Sequence, residues 1–273
     1  MTTNLRHVQS RRESVDIFKR VVVGTDGSPA ALEAARQAAA LADGWAFVVA
    51  VHQTAPTIVG GTGIGVPVHY DDGFQRELAG AALAKASSRV EWAAPPQTEL
   101  TTGNAWDALL AAAKAHEATL IAVGAHGFGR IGGILLGSVA TELLHKARCS
   151  VLAARAAGER FPERIVVGVD GSAESAVAYD AASVLARRCD AELWPVVAHG
   201  GEPVDKRRVA EIVGDRREDL PDKPVDALVA AVADADLVVV GSRRLHGVRA
   251  LGSVSERVAH RAACSTLVVR RPA

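Results

Sequence analysis

The sequence predicts an α/β protein made of two tandem open parallel sheets. Three observations carry this reading. Short β-branched runs alternate with stretches of helical periodicity, and the run Arg20-Val-Val-Val-Gly-Thr-Asp-Gly-Ser28 returns as Arg164-Ile-Val-Val-Gly-Val-Asp-Gly-Ser172. A glycine-rich stretch, Gly124 to Ser138, lies between an apolar run and a helical pattern.

In chain order, residues 1–18 are charged, have no apolar core and read as a flexible tail. The run after Arg20 is continuous and β-branched, as suits a parallel sheet covered on both faces, and Ser28-Pro29 signals a helix start. A helix over about Pro29 to Ala42 keeps Leu32, Ala35, Ala39 and Ala42 on one face, and Ala46 to Val51 reads as a second strand. Residues 52–72 turn to Thr, Pro and Gly. Gly60 to Gly65 within them is not flanked by a strand and its immediate helix, so it reads as a loop and not as a dinucleotide fingerprint. A helix from Phe74 to Glu91, a strand near Thr98 to Leu100, a helix from Ala105 to His116, a strand from Leu120 to Val123, a helix from Val139 to Lys146 and a strand from Cys149 to Ala153 follow. Five strands alternating with four helices give a doubly wound sheet, with ligands at the carboxyl ends of its strands.

After a polar link, 156–162, the pattern restarts, so 19–155 and 163–273 read as two copies of one domain. Ala118-Thr-Leu-Ile-Ala-Val-Gly124 matches Ala235-Asp-Leu-Val-Val-Val-Gly241, and Leu136-Gly-Ser-Val139 matches Leu251-Gly-Ser-Val254. The second copy is trimmed: Asp26 to Gly124 is 98 residues, whereas Asp170 to Gly241 is 71.

The Gly124–Ser138 stretch has the layout of an anion cradle. Its glycines at 124, 127, 129, 132, 133 and 137 free backbone N–H groups to face a ligand, and Ser138 is placed to cap the next helix. A helix N-terminus suits phosphate. A loop whose glycines serve only turns fits these residues equally well.

Composition narrows the partners. Of 273 residues, 31 are Lys or Arg and 31 Asp or Glu, so the balanced charge argues against nucleic acid or an anionic membrane and for a small ligand. Three scattered cysteines build neither a disulfide framework nor a zinc cluster. With no membrane span or signal peptide legible, a cytoplasmic location is expected.

Taken together, the strand-Asp-Gly-Ser openings of both copies and the pattern Gly124, two residues, Gly127, nine residues, Gly137-Ser138 resemble the universal stress protein family in its tandem, nucleotide-binding form. That resemblance implies a Rossmann-like sheet in the order 3-2-1-4-5, ATP with magnesium in a cleft at its carboxyl edge, and pairing through the final strands, hence a homodimer. It further implies Asp26 near the nucleoside, Val51 meeting adenine through its backbone, and Gly127, Gly137, Ser138 and Val139 on the phosphates. The residues themselves add Gly24, beside Asp26, together with Gly124, His126, Gly129 and Arg130 in or before the loop. A guanidinium at Arg130 suits phosphate, and a solvated surface arginine is the equal alternative. His126 reads as a loop residue whose backbone faces phosphate.

The second copy keeps Asp170, Gly241, Gly252 and Ser253, but Arg244 stands where Gly127 aligns and the loop is two residues shorter. Its nucleotide site is therefore expected to be weak or lost. Cys149 and Cys264 begin equivalent final strands and read as small buried hydrophobes. No catalytic residue or metal ligand stands out, and no lysine-bearing phosphate loop is present. The expected function is an ATP-binding regulator of a stress response with its main site in the first copy. A slow ATP hydrolase or phosphotransferase and a nucleotide-free scaffold are the alternatives.

Overall fold

The computed structural model describes residues 16–52, 72–126, 136–201, 204–242 and 253–271. The first half contains β1 (Arg20–Thr25), α1 (Pro29–Leu41), β2 (Trp45–His52), α2 (Asp72–Arg89), β3 (Gln97–Thr102), α3 (Ala105–Ala115), β4 (Leu120–Gly124), α4 (Ser138–Lys146) and β5 (Ser150–Ala154). The second contains β6 (Arg164–Gly168), α5 (Ala173–Cys189), β7 (Glu192–Ala198), α6 (Lys206–Val213), β8 (Glu218–Leu220), α7 (Pro224–Ala231), β9 (Leu237–Gly241), α8 (Val254–Arg261) and β10 (Ser265–Val269).

The ten strands form one sheet in the order β3-β2-β1-β4-β5-β10-β9-β6-β7-β8. The first half thus has the expected 3-2-1-4-5 order, and the second half repeats it in mirror sequence from the outer edge. Neighbours are parallel except at the centre, where β5 and β10 run antiparallel with Leu152 opposite Leu267. Helices α1, α2, α5 and α6 cover one face around Val21, Val23, Leu41, Ile165 and Leu267. Helices α3, α4, α7 and α8 cover the other around Val22, Ile121, Leu143, Val166 and Val258. Both apolar layers run through the two halves without a break. The trimming includes the helix after the second strand of each half, since α2 has 18 residues and its counterpart α6 has 8.

The central seam has an internal two-fold pattern. Arg155 N donates to Ser265 Oγ at 3.0 Å, and Arg270 N donates to Ser150 Oγ at 3.1 Å. Both arginines directly follow a final strand, and each guanidinium reaches the other half's last helix. Arg155 donates to Ala259 O at 2.9 Å, while Arg270 donates to Ala147 O at 2.8 Å and to Leu144 O. Carbonyls at a helix C-terminus carry the negative end of its dipole, so a buried cation is accommodated there. Burial depresses the pKa of Arg155.

Two expectations are corrected. A homodimer through the final strands has no strand edge to use, because β5 lies between β4 and β10, and β10 between β5 and β9. The pairing takes place inside one chain. The tail does not extend to residue 18, because Asp16–Phe18 forms a 3-10 turn with Ile17 and Phe18 buried in the core. The link at 156–162 is anchored: Arg36, paired with Glu33, also donates to Glu159 O and Gly158 O at 2.8 and 2.9 Å, and Phe161 is buried.

Candidate functional site

At the carboxyl edge of the first half, β1 ends in a tightly bonded turn. Gly27, with φ of 76°, lets the chain reverse, and its N–H donates to Thr25 Oγ1 at 3.2 Å. Asp26 Oδ1 accepts from Ser28 N at 2.9 Å, and Ser28 Oγ caps α1 by accepting from Ala31 N at 3.2 Å. Asp26 is exposed, and one of its carboxylate oxygens shapes the turn. Lys85 of α2 donates to Gly27 O at 3.0 Å, which brings a cation to this turn. Nothing in the spacing of that helix singled Lys85 out.

The next strand to end here is β4, followed by Ala125 and His126 and, beyond the loop, by α4. Gly137 N donates to Ala125 O at 2.7 Å, closing the loop's base and setting the start of α4 against the end of β4. The cap of α4 is Gly137 and not Ser138, which is the first helical residue and is exposed. Gly137 offers no side-chain acceptor, so the first N–H groups of α4 receive no cap of that kind. Val139 follows in the same turn. Val51 lies one residue beyond the last β1–β2 pair, opposite Thr101 of β3, at the same edge.

Two predicted site glycines have packing reasons of their own. A Cβ at Gly24 would come within 2.7 Å of Leu109 in α3, and one at Gly124 within 2.8 Å of the Ala30 backbone in α1. Any ligand contact from them is through main chain. His126 turns its ring to the seam, where Nε2 and Arg155 Nη1 are 3.0 Å apart. Gly127, Gly129, Arg130, Arg244 and Gly252 lie outside the described residues. The structure therefore brings Asp26, Val51, Gly137, Ser138 and Val139 to one edge.

The second half repeats the turn. Asp170 Oδ1 accepts from Ser172 N at 2.9 Å, Gly171 has φ of 82°, and Ser172 caps α5. Gly241 again makes room for a helix start, a Cβ there lying 2.5 Å from the Glu174 backbone. Helix α8 differs from α4, because Ser253 Oγ accepts from Glu256 N at 3.3 Å. A cleft of about 1300 Å³ opens at the ends of β6, β7 and β9, lined by Asp170, Ser172, Gly241 and Ser253 of the second half and Arg148 of the first.

The cysteine reading holds for Cys264, which is buried, while Cys149 is half-buried. Burial pushes the Cys149 thiol up to about 11 and that of Cys264 up to about 12. Among the described residues, no group of three or more His, Cys, Asp or Glu could hold a metal ion, and no helix is long and apolar enough to cross a membrane.

Known proteins share this organisation. The model of the universal stress protein family matches residues 17–155 and 204–270. The first match begins at Ile17, in the buried turn. Universal stress protein Rv2623 of Mycobacterium tuberculosis is 32% identical over 286 residues, covering 92% of this chain and 96% of that protein. Universal stress protein Rv2624c of the same organism is 30% identical over 279 residues, covering 93% and 97%. A crystal structure of a universal stress protein from Archaeoglobus fulgidus has the same fold, with a TM-score of 0.70 at 23% identity, covering 93% of this chain and 98% of that one. The duplicated Asp-Gly-Ser turns, the 3-2-1-4-5 order and these matches along both halves have one explanation: the chain belongs to the universal stress protein family.

Proposed function

We propose that this protein binds ATP at the carboxyl edge of its first half, and that occupancy of this site regulates its contacts during a stress response in the cytoplasm. The observation that carries the reading is the start of α4, which has no side-chain cap and lies at the same sheet edge as the exposed Asp26. An uncapped helix N-terminus offers N–H donors and positive dipole to phosphate. A carboxylate at the end of β1 accepts hydrogen bonds from a ribose, and the main chain at Val51 is available to a base. Magnesium would arrive with the phosphates, with Asp26 as the acid at hand. Lys85 adds positive charge beside the turn.

A regulatory role is supported by the seam. His126 stands at the mouth of the glycine loop and contacts Arg155, which also donates to Ala259 O in the other half. A change in the loop on binding therefore has a short physical route across the molecule. The test is equilibrium titration of the full chain with Mg-ATP. Saturable binding that Ser138→Asp removes is expected, and the absence of saturable binding to the parent protein refutes the reading.

A further inference from the structure

We propose that the outer edge of the first half, where β3 and α3 flank a groove, takes up an extended, basic segment of a partner polypeptide as an added strand. This is independent of the nucleotide reading, which concerns the carboxyl ends of the strands. Among the described residues, β3 pairs with β2 alone and ends the sheet. Its six residues, Gln97–Thr102, include one charged side chain, Glu99, and no proline. A strand with a single neighbour turns backbone N–H and C=O groups away from the sheet, and these pair readily with another extended chain.

The two rims of the sheet differ. At the opposite end β8 has only three residues, Glu218–Leu220, and its Asp219 is held by His199 at 2.7 Å and Arg217 at 3.0 Å. A short, charged edge strand discourages further pairing. The duplicated chain therefore blunts one rim and keeps the other open.

Beside the open edge lies a groove of about 460 Å³, walled by Glu99 and Thr101 of β3 and by Asp107, Ala108, Ala111 and Ala115 of α3. Glu99 and Thr101 share the face of β3 turned to α3, whereas Leu100 packs into the apolar layer on the other face. The alanines lie on one side of α3 at helical spacing, and their short side chains leave room next to the strand for those of an added chain. The groove carries charge of one sign. Asp107 is exposed and makes no ion pair among the described residues. Glu99 is held by His116 Nε2 at 3.0 Å, and the imidazole stacks on Phe47 with ring centroids 3.9 Å apart. Among the described residues, no lysine or arginine lines the groove. An added strand that presents Lys or Arg to the α3 side meets these carboxylates, and an acidic one is repelled. The open edge supplies the pairing and the acids select the partner.

The test is fluorescence anisotropy of a labelled decapeptide of alternating lysine and valine, whose lysines share one face when extended, titrated with the full-length protein. Saturable binding that weakens with salt is expected, and a decapeptide of alternating glutamate and valine should not bind. Asp107→Lys should weaken binding by about tenfold, as for loss of a charge-assisted contact. Ala111→Leu fills the groove from an exposed position of α3 and should weaken binding by about the same factor, with the thermal melt unchanged because leucine is a good helix former. Hydrogen exchange should slow at the β3 amides when the peptide is bound. Unchanged affinity in Ala111→Leu overturns the proposal. So does binding without protection of β3, or an equal loss in Glu211→Lys, which lies on α6 away from the groove. A dimer formed without peptide and abolished by Ala111→Leu would give the groove to a second copy of the chain and overturn it as well.

Discussion

Replacing Ser138 with Asp separates the helix from its ligand. Ser138 is the first residue of the nine-residue α4, is exposed, and follows a glycine cap that offers no side-chain acceptor. A carboxylate there interacts with the positive end of the helix dipole, stabilising the protein by about 0.3–1 kcal/mol and raising Tm by roughly 1–4 °C. If a phosphate of ATP occupies the same end, the substitution also removes a charge-assisted hydrogen bond worth about 1.5–3 kcal/mol and adds like-charge repulsion. A combined loss of about 3 kcal/mol corresponds to a roughly 100-fold weaker Kd. Calorimetric titration with Mg-ATP and a thermal melt of the same preparation read the two effects separately. A protein that melts higher and binds ATP as before would show that no phosphate sits at this helix, and the argument from the missing cap would be wrong.

Other consequences are more direct. Gly124→Ala should destabilise the fold by about 1–3 kcal/mol in chemical denaturation, because its Cβ would press on the Ala30 backbone, which has no rotamer by which to yield. The same change at half-buried Gly80 in α2, where a Cβ would meet open space, should instead stabilise by up to about 1 kcal/mol, as helix propensity dictates. Cys149 and Cys264 should resist alkylation at pH 8 in the native state and react once the chain is unfolded. Their folded pKa values lie above the ordinary thiol value of 9.0, so the unfolded state releases protons first as pH rises. Stability should accordingly decline from about pH 9 through about 11 for Cys149 and about 12 for Cys264, and pH-dependent melts of Cys149→Ala should show a shallower decline.

Much of the architecture was legible because it depends on local pattern. The apolar runs, the Ser28-Pro29 start and the duplicated Asp-Gly-Ser turn each follow from nearby residues, and their strands and helices stand within a few positions of expectation. Two kinds of feature were not legible. One is the use of a glycine: Gly24 and Gly124 look like ligand glycines in a loop-rich motif, but the space they leave is taken by Leu109 and Ala30. The other is any role set by contacts far along the chain. Arg155 and Arg270 look like surface arginines after a strand, and only the antiparallel seam puts them against helix ends more than 100 residues away. Their equal spacing from Ser150 and Ser265 was a signal available in the repeat. Lys85 had none.

The seam also explains how a duplicated chain closes its own final strands, and this can be tested by weakening it. Arg270 is almost wholly buried and satisfies carbonyls at the end of α4, and Arg155 does the same for α8. Replacing both with Met leaves those carbonyls without their donors, and each unsatisfied buried group costs about 1–3 kcal/mol. The sheet and the apolar packing within each half remain, so the halves should stay folded while the β5–β10 contact between them loosens. Freed edges of β5 and β10 are complementary to each other and to those of a second copy, because the antiparallel pairing is the same in either case. The double variant should therefore form a concentration-dependent dimer by exchange of halves, seen by light scattering, where the parent protein does not use these edges. If it keeps both its stability and its size, the arginines are dispensable, and the apolar layers with the β5–β10 ladder suffice to hold the halves together.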